Sequence, residues 1–451
     1  MVKMRNARPL IVSSLLGLFL LGATLALLWQ NTQAAPAAGV PGTESGAASS
    51  GGETLASTAA GTVTMIADIY PGVGPSHPQY LTVYGGALYF SARDSTHGQE
   101  LWRYDGTTVT LVADIQPDGG GSLPEYLTVY GDALYFGADD GTDGRELWQY
   151  DGVTVTMVAD IDPDSSGSEP QYLVAFGDAL YFQASDGAHG AELRQYDGVT
   201  VTLVADIDQD SGSSDPQYLA VFGDTLYFQA YDGVHGTELW RYDGVTVTMV
   251  ADINPGDATS DSDPEWLTVY RNTLCFQADD GFHGAELWQY DGVTVTMVAD
   301  INPDGGYARP RHLAVLADTL YFAADDGVHG TELWQFDGVT VTMVADINPG
   351  GASSHSSPKW LTVFGDVLYF GADDGTHGAE LWQYDGVTVT LAADISPGGS
   401  SHPGECESST GLTAFGLGLC FCATDGTHGD ELWRYVPPLY SVYLPLVLRQ
   451  F

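Results

Sequence analysis

The feature that most narrows the fold is an internal repeat running from Thr62 to Tyr435. Ala-Asp-Ile recurs with its aspartate at Asp68, Asp114, Asp160, Asp206, Asp252, Asp300, Asp346 and Asp394, in steps of 46 or 48 residues. Glu-Leu-Trp recurs at Glu100, Glu146, Glu238, Glu286, Glu332, Glu380 and Glu431, and the variant Glu192-Leu193-Arg194 completes eight units. Each unit carries four short runs rich in Val, Thr, Tyr, Phe and Trp, separated by Gly and Asp, the chemistry of strands and tight turns. In the second unit these runs are Leu127 to Tyr130, Ala133 to Ala138, Glu146 to Tyr150 and Thr154 to Ile161. No segment of the repeat sustains a helical hydrophobic period. Repeats of this size predict an all-β fold, an eight-bladed β-propeller of four-stranded blades.

The connections order the strands within a blade. Asp151-Gly152 stands between the Glu-Leu-Trp and Thr-Val-Thr runs, and Asp-Gly favours the positive φ angles of a tight hairpin. Gly131-Asp132 joins the first two runs in the same way, so the long link from Asp160 to Gln171 passes from one blade's outer strand to the next blade's inner strand. The eighth unit has Val436-Pro437-Pro438 where the Asp-Gly turn belongs, and it therefore lacks an outer strand. Thr62 to Ile69 is the surplus strand, expected to pair with Glu431 to Tyr435 and close the ring.

The segments outside the repeat read differently. Residues 1–35 place Lys3, Arg5 and Arg8 before an apolar run from Leu10 to Trp29, followed by the small-residue sites Thr32-Gln33-Ala34 and Ala35-Pro36-Ala37. This is the pattern of an export signal, with an uncleaved anchor as the alternative because the run approaches bilayer-spanning length. Residues 36–61 are almost wholly Ala, Gly, Ser, Thr and Pro and form a flexible linker, residues 62–435 carry the propeller, and residues 436–451 are a C-terminal tail. An extracellular location follows, secreted or attached at the cell surface, with no membrane contact beyond an N-terminal anchor. With 59 acidic against 14 basic residues the formal charge is −45, which repels phosphate backbones and argues against nucleic-acid partners. A protein, a glycan or a cation remains as partner, and the chain is expected to be a monomer.

The unit from Glu100 through Leu101, Trp102, Arg103, Tyr104, Asp105 and Gly106 to Thr107 resembles the ELWxxDGT repeat of bacterial exported proteins, in a blade phase similar to kelch propellers. The departures are Val for Thr after Asp-Gly in every later unit before the last, Arg194 for Trp and Phe336 for Tyr. The resemblance implies an extracellular propeller without an assigned activity. The stretch Tyr443 to Arg449 is similar to a short tail found on some bacterial secreted proteins.

A residue that occurs once per blade usually serves the blade. Glu100 and its equivalents share a strand face with Trp and Tyr at the next alternate positions, which predicts an interblade aromatic layer with the carboxylate bonded to neighbouring N–H groups. The histidines of the Asp-Gly-x-His-Gly loops, His189, His235, His283, His329, His377 and His428, with His97 in a variant loop, lie on different blades and predict loop hydrogen bonds rather than a shared metal. The links offer a metal alternative. Asp114, Gln116, Asp118 and Glu125 stand at calcium-loop positions 1, 3, 5 and 12, while Asp300, Asn302 and Asp304, and Asp160, Asp162 and Asp164, repeat the first half. Calcium is therefore a candidate cofactor, against ordinary turn chemistry. Tyr307, Arg309, Arg311 and His312, with Lys359-Trp360 one blade later, form the cationic exception in the acidic links.

No Ser-His-Asp or Cys-His grouping stands out. The functional expectation is a non-enzymatic binding or display propeller presenting an acidic loop face, with a secreted hydrolase or lyase acting at the central channel as the alternative. A single carboxylate or histidine of grossly perturbed pKa at the axis, absent from the other blades, favours the enzyme. In an oxidising compartment Cys406 is expected to pair with Cys422 or Cys420, and Cys275, in a Tyr position, to stay a buried thiol.

Overall fold

In the computed structural model the described residues are 61–438, apart from 118, 164, 165, 210, 211 and 407–410. The segments expected to be an export signal and a linker, up to residue 60, and the tail from residue 439 lie outside them. The described chain is all-β and forms eight antiparallel four-stranded sheets, the blades of a β-propeller. In the first blade the strands are Gln79–Tyr84, Ala87–Asp94, Gly98–Tyr104 and Val109–Ala113, hydrogen-bonded in that order. The first strands of successive blades touch, which places them at the axis.

Turn chemistry explains why the hairpins form where they do. Asp105 accepts the backbone N–H groups of Thr107 and Thr108 at 2.9 Å each, and Gly106 adopts φ +97°. Asp151, Asp197, Asp243, Asp291, Asp337 and Asp385 repeat this turn in the later blades.

The strand boundaries differ from the sequence reading in an instructive way. The fourth strand of the second blade ends at Ala159, not Ile161, because Ile161 turns its N–H away from the sheet to Glu146. The first strand begins earlier, at Glu125, and crosses an irregularity before Thr128.

The core lies between blades. Phe90, Phe136, Phe182, Phe228, Phe276, Phe322, Phe370 and Phe421 occupy one repeat position and are all 0% exposed. Each cluster joins neighbours: Leu101 of the first blade packs with Leu127, Leu134 and Phe136 of the second. The Tyr that precedes Phe meets the next blade's Tyr, as in Tyr89 with Tyr150 at 5.5 Å and Tyr369 with Tyr435 at 5.7 Å. Cys275 and Cys420 both stand in this Tyr position. There the neighbouring ring is supplied from an inner strand instead, Tyr270 against Phe336 and Phe415 against Tyr104. Arg194, in the Trp slot, is held by Asp186 at 2.8 Å and the Ala184 carbonyl at 2.9 Å.

Closure occurs as the repeat count requires. Thr62–Ala67 pairs antiparallel with Glu431–Val436, so the N-terminal strand is the outer strand of the last blade. Removing residues 1–69 should lower Tm by several degrees and produce concentration-dependent self-association, because the strand Glu431–Val436 becomes an open edge. Thermal melting and sedimentation check this, and a monomer of unchanged Tm contradicts it.

Cys406 is joined to Cys422 across a Cα separation of 6.2 Å, while Cys275 and Cys420 are buried free thiols. The bridge spans 16 residues of sequence, for which loop-closure entropy contributes about 3 kcal/mol. Cys406→Ser should therefore melt several degrees below the oxidised parent, and peptide mapping without reductant should recover Cys406 linked to Cys422.

Candidate functional site

The repeated carboxylates are structural. Glu100 lies on the third strand, 0% exposed, and accepts hydrogen bonds from Ile115 N at 2.9 Å, Gln116 N at 3.3 Å, Ser122 N at 3.1 Å and the Ser122 hydroxyl. All of these donors belong to the link that leaves the same blade. Glu146, Glu192, Glu332 and Glu380 bind their links likewise, each through an Ile N–H and a Ser. Glu431 makes the same clasp on Ile69, Tyr70 and Ser76 of the N-terminal segment. Burial pushes these carboxyls up and their donors pull them back, leaving Glu238, Glu286 and Glu431 at about 7. In Glu286 the serine is missing, since Ala308 stands in its place and offers only its N–H.

The loop histidines are also spoken for. His97, His189, His235, His283, His329, His377 and His428 each place Nδ1 at 2.7 to 2.9 Å from the aspartate three residues earlier in the same loop. In the second blade Asp143 replaces the histidine and donates its backbone N–H to Asp140 at 3.1 Å.

The residues suggested for calcium occupy one face, where each link meets the Asp-Asp-Gly loop of the next blade. Asp114, Asp160, Asp300 and Asp304 are exposed, Gln116 and Asn302 half-buried and Asp162 buried. Asp118 and Asp164 lie outside the described residues. Gln116 and Asn302 lie against glycines of both loops; Gly327 adopts φ +74°, a conformation in which a side chain is strained, and a Cβ there would meet Asn302 Oδ1 at 2.7 Å. Glu125 is drawn away to Arg145 at 3.1 Å, and Arg145 also holds Glu169 at 3.0 Å. Among the described residues the group of three ligand-type side chains that converges is His77, Cys406 and Asp430, and the Cys406 sulfur is in the disulfide. The acidic face is nonetheless crowded: burial, Asp232 and Asp206 together raise the Asp208 carboxyl.

The channel mouth is where the blades cease to be alike. Every link ends in a residue before proline that adopts φ between 44° and 50°: His77, Leu123, Glu169, Asp215, Asp263, Arg309, Ser357 and His402. Three residues later the chain is again left-handed, at Tyr80, Tyr126, Tyr172, Tyr218, Trp266, His312 and Trp360, with φ between 53° and 59°. Bulky residues rarely adopt this region, and residues before proline normally avoid it. The recurrence in every blade makes it the way a link bends into the inner strand. Its consequence is a collar of half-buried rings in unbroken contact: Tyr80 to Tyr126 at 5.2 Å, Tyr126 to Tyr172 at 5.1 Å, Tyr172 to Tyr218 at 5.8 Å, Tyr218 to Trp266 at 5.9 Å, Trp266 to His312 at 4.4 Å and His312 to Trp360 at 4.8 Å. In the eighth blade Gly411 takes the ring position and lies against Trp360, so among the described residues the run of rings extends from Tyr80 to Trp360.

The collar passed unnoticed in the sequence, although the signal was there: an aromatic residue two positions after the proline of seven links, a side-chain type the strand itself does not require. Polar groups flank the rings. Gln217 accepts the Tyr172 hydroxyl at 3.1 Å, and Glu265 accepts Gln277 at 3.2 Å. Burial raises the Asp215, Asp263 and Glu265 carboxyls, helped at Asp263 by Asp261 and at Glu265 by Asp263. On the following blades stand Arg309, Arg311 and Lys359. Burial, with Arg311 and Lys359 beside it, drops His312 to about 3, so this ring is neutral.

No family profile and no curated protein matches the chain. Among solved structures it is similar to the computationally designed Ika8 protein, with TM-score 0.50 and 20% identity over 81% of this chain and 98% of that one. It is also similar to a puromycin-hydrolyzing peptidase of Mycobacterium tuberculosis, with TM-score 0.45 and 13% identity, covering 78% of this chain and 60% of that one. The β-propeller domain of the Trilobed protease from Pyrococcus furiosus, described as having an open velcro topology, matches with TM-score 0.43 and 9% identity over 70% of this chain and 98% of that one. At these identities the likeness is one of fold.

The ionisable groups set a pH optimum. A carboxyl whose pKa folding raises contributes stability while protonated and loses it as pH climbs; for Glu238, Glu286 and Glu431 that window runs from the ordinary 4.5 up to about 7. The loop histidines raised by their aspartates, such as His283 and His329, contribute below 6.5 and lose it above. Turn aspartates lowered by backbone N–H groups, such as Asp151 and Asp243, contribute above 3.8 and lose it in acid. Tm should therefore peak near pH 4 (about the gap between the aspartate and glutamate windows) and fall toward pH 8. In Glu286→Gln the fall should be shallower at high salt, where surface repulsion is screened, and an identical slope contradicts the assignment.

Proposed function

We propose that the chain is an exported, non-enzymatic binding propeller of the ELWxxDGT-repeat type that takes a glycan at its channel mouth. The observation that carries this reading is the collar of seven consecutive rings. Flat, half-exposed aromatic faces beside planar amides and carboxylates are the chemistry that holds sugars, whose C–H faces stack on rings while their hydroxyls seek acceptors. The acidic loop face around the mouth discourages anionic competitors such as nucleic acid and suits a surface-displayed or secreted protein.

Support for a non-enzymatic role comes from what the repeated groups are doing. The glutamates clasp links and the loop histidines bind their own loops, so neither is spare for proton transfer. His312 favours the alternative, a hydrolase or lyase at the channel, because it is a single, strongly perturbed histidine at the axis. Against this, its buried Nδ1 has no hydrogen-bond partner among the described residues, and an imidazole held near 3 is a poor base at neutral pH. It acts as one more flat ring between Trp266 and Trp360.

The test is a glycan array on the full chain followed by calorimetry on the hits. Trp266→Ala and Trp360→Ala should each weaken binding by roughly tenfold, the effect of losing one stacking ring, with Tm shifted by only a few degrees. Undiminished binding by both variants removes the collar from the site. Turnover of a bound glycan that His312→Ala abolishes would replace this reading with the enzymatic one.

A further inference from the structure

Resting on the reading that the channel mouth is the binding surface, we propose that the cleft between the sixth and seventh blades is a carboxylate site, and that the glycan taken there is an acidic, uronate-bearing one. The cleft measures about 270 Å³ and is lined by Tyr307, Arg309, Arg311, Asp325, His355 and Ser357 among others. It adjoins the collar, since Arg311 precedes His312 in the chain and the same link delivers both.

Four observations converge on an anion. Neither Arg309 nor Arg311 makes an ion pair among the described residues, in a chain of net charge −45 where acidic partners abound. Arg311 Nε is buried with no acceptor, and burial together with Arg309 weakens the hold on its proton. A guanidinium left in this condition is completed by a planar, bidentate acceptor, which a carboxylate supplies. Arg309 is exposed but anchored over the Tyr307 ring, 5.4 Å from its centroid, so its position is set in advance of binding.

His355 adds a donor. Its Nδ1 accepts the Thr331 backbone N–H at 2.8 Å, so in the neutral ring the proton sits on Nε2. In other blades Ser213, Asp261 or Ser400 accepts the equivalent N–H, so His355 is specific to this cleft. Asp325, the one carboxylate in that lining, accepts the Gly327 N–H through Oδ1 at 2.7 Å, and its Oδ2 lies 3.8 Å from His355 Nδ1. A second cleft of about 190 Å³ shares His355 and Ser357 and continues past Lys359, His402 and Glu405, which gives an extended sugar chain a path across two blades.

The experiment uses the full chain and four probes: oligogalacturonate, its fully methyl-esterified form, free glucuronate and an acidic peptide. By calorimetry the acidic oligomer should bind at least tenfold tighter than the ester. Arg311→Ala should erase that preference while leaving ester binding within about twofold, and Arg311→Lys should restore only part of it, since an ammonium lacks the fork. Glucuronate at millimolar concentration should raise the Tm of the parent and not of Arg311→Ala. Equal affinity for acid and ester overturns the carboxylate site and leaves the collar reading standing. An Arg311-dependent shift with glucuronate, but no binding of either oligomer, keeps the carboxylate site and overturns the glycan. An acidic peptide that binds in an Arg311-dependent way when the oligomers do not assigns the site to a protein partner and overturns the acidic-glycan proposal.

Discussion

The propeller depends on one hydrogen-bonding arrangement, the buried glutamate of the third strand that gathers the N–H groups of the link beyond its own blade. A link between blades has no sheet to satisfy its backbone, and a buried donor without an acceptor costs about 1 to 3 kcal/mol. Glu100 meets that need with a single side chain, accepting from Ile115, Gln116 and Ser122, and the Ser122 carbonyl in turn receives Asp139 N of the next blade at 2.9 Å. The direction from blade to blade is set there. Glu431 uses the same contacts on Ile69, Tyr70 and Ser76, so the N-terminal strand is fastened by the device that spaces the other blades.

The architecture was legible because its causes are local and repeated. Asp-Gly turns, alternating apolar runs and a missing eighth outer strand are readable residue by residue, and Cys406 could be assigned to the last blade from its place in the link. The choice of Cys422 over Cys420 was not readable. Both side chains point to the same face, and only packing separates them: Cys420 fills a Tyr slot against the first blade, with Ile69 and Leu432. The acidic links read equally as turns or as calcium loops from sequence, and the structure adds only the neighbours of the suggested ligands: Asn302 Oδ1 lies close to Gly306 and Gly327, and Glu125 pairs with Arg145.

The collar was harder to foresee for a physical reason. Strand periodicity assigns an alternating face to Tyr126, yet the register slips between Glu125 and Thr128 and the φ of Tyr126 is +54°, so its ring leaves the alternation that a sequence pattern assumes. A repeated departure from ideal strand geometry is invisible to a reading based on that geometry. It becomes visible only as a ring of contacts between blades that are neighbours in space and distant by 46 or 48 positions in sequence.

Eightfold repetition also constrains where individuality can reside. A substitution at Phe136 or Glu146 disturbs an interblade layer or a clasp, whereas the residue before each proline and the two that follow it vary in type from blade to blade. There the chain places Asp215, Asp263 and Glu265 on the fourth and fifth blades and Arg309, Arg311 and Lys359 on the sixth and seventh. Lys359 is paired with Glu405 at 2.9 Å, while among the described residues the two arginines make no ion pair. In a molecule of charge −45 two arginines lining one cleft are a local reversal of sign. His312 fits the same logic: burial, and then Arg311 and Lys359, disfavour a charged imidazole, so the neutral ring keeps its place in the collar and leaves the positive field of the cleft to the arginines.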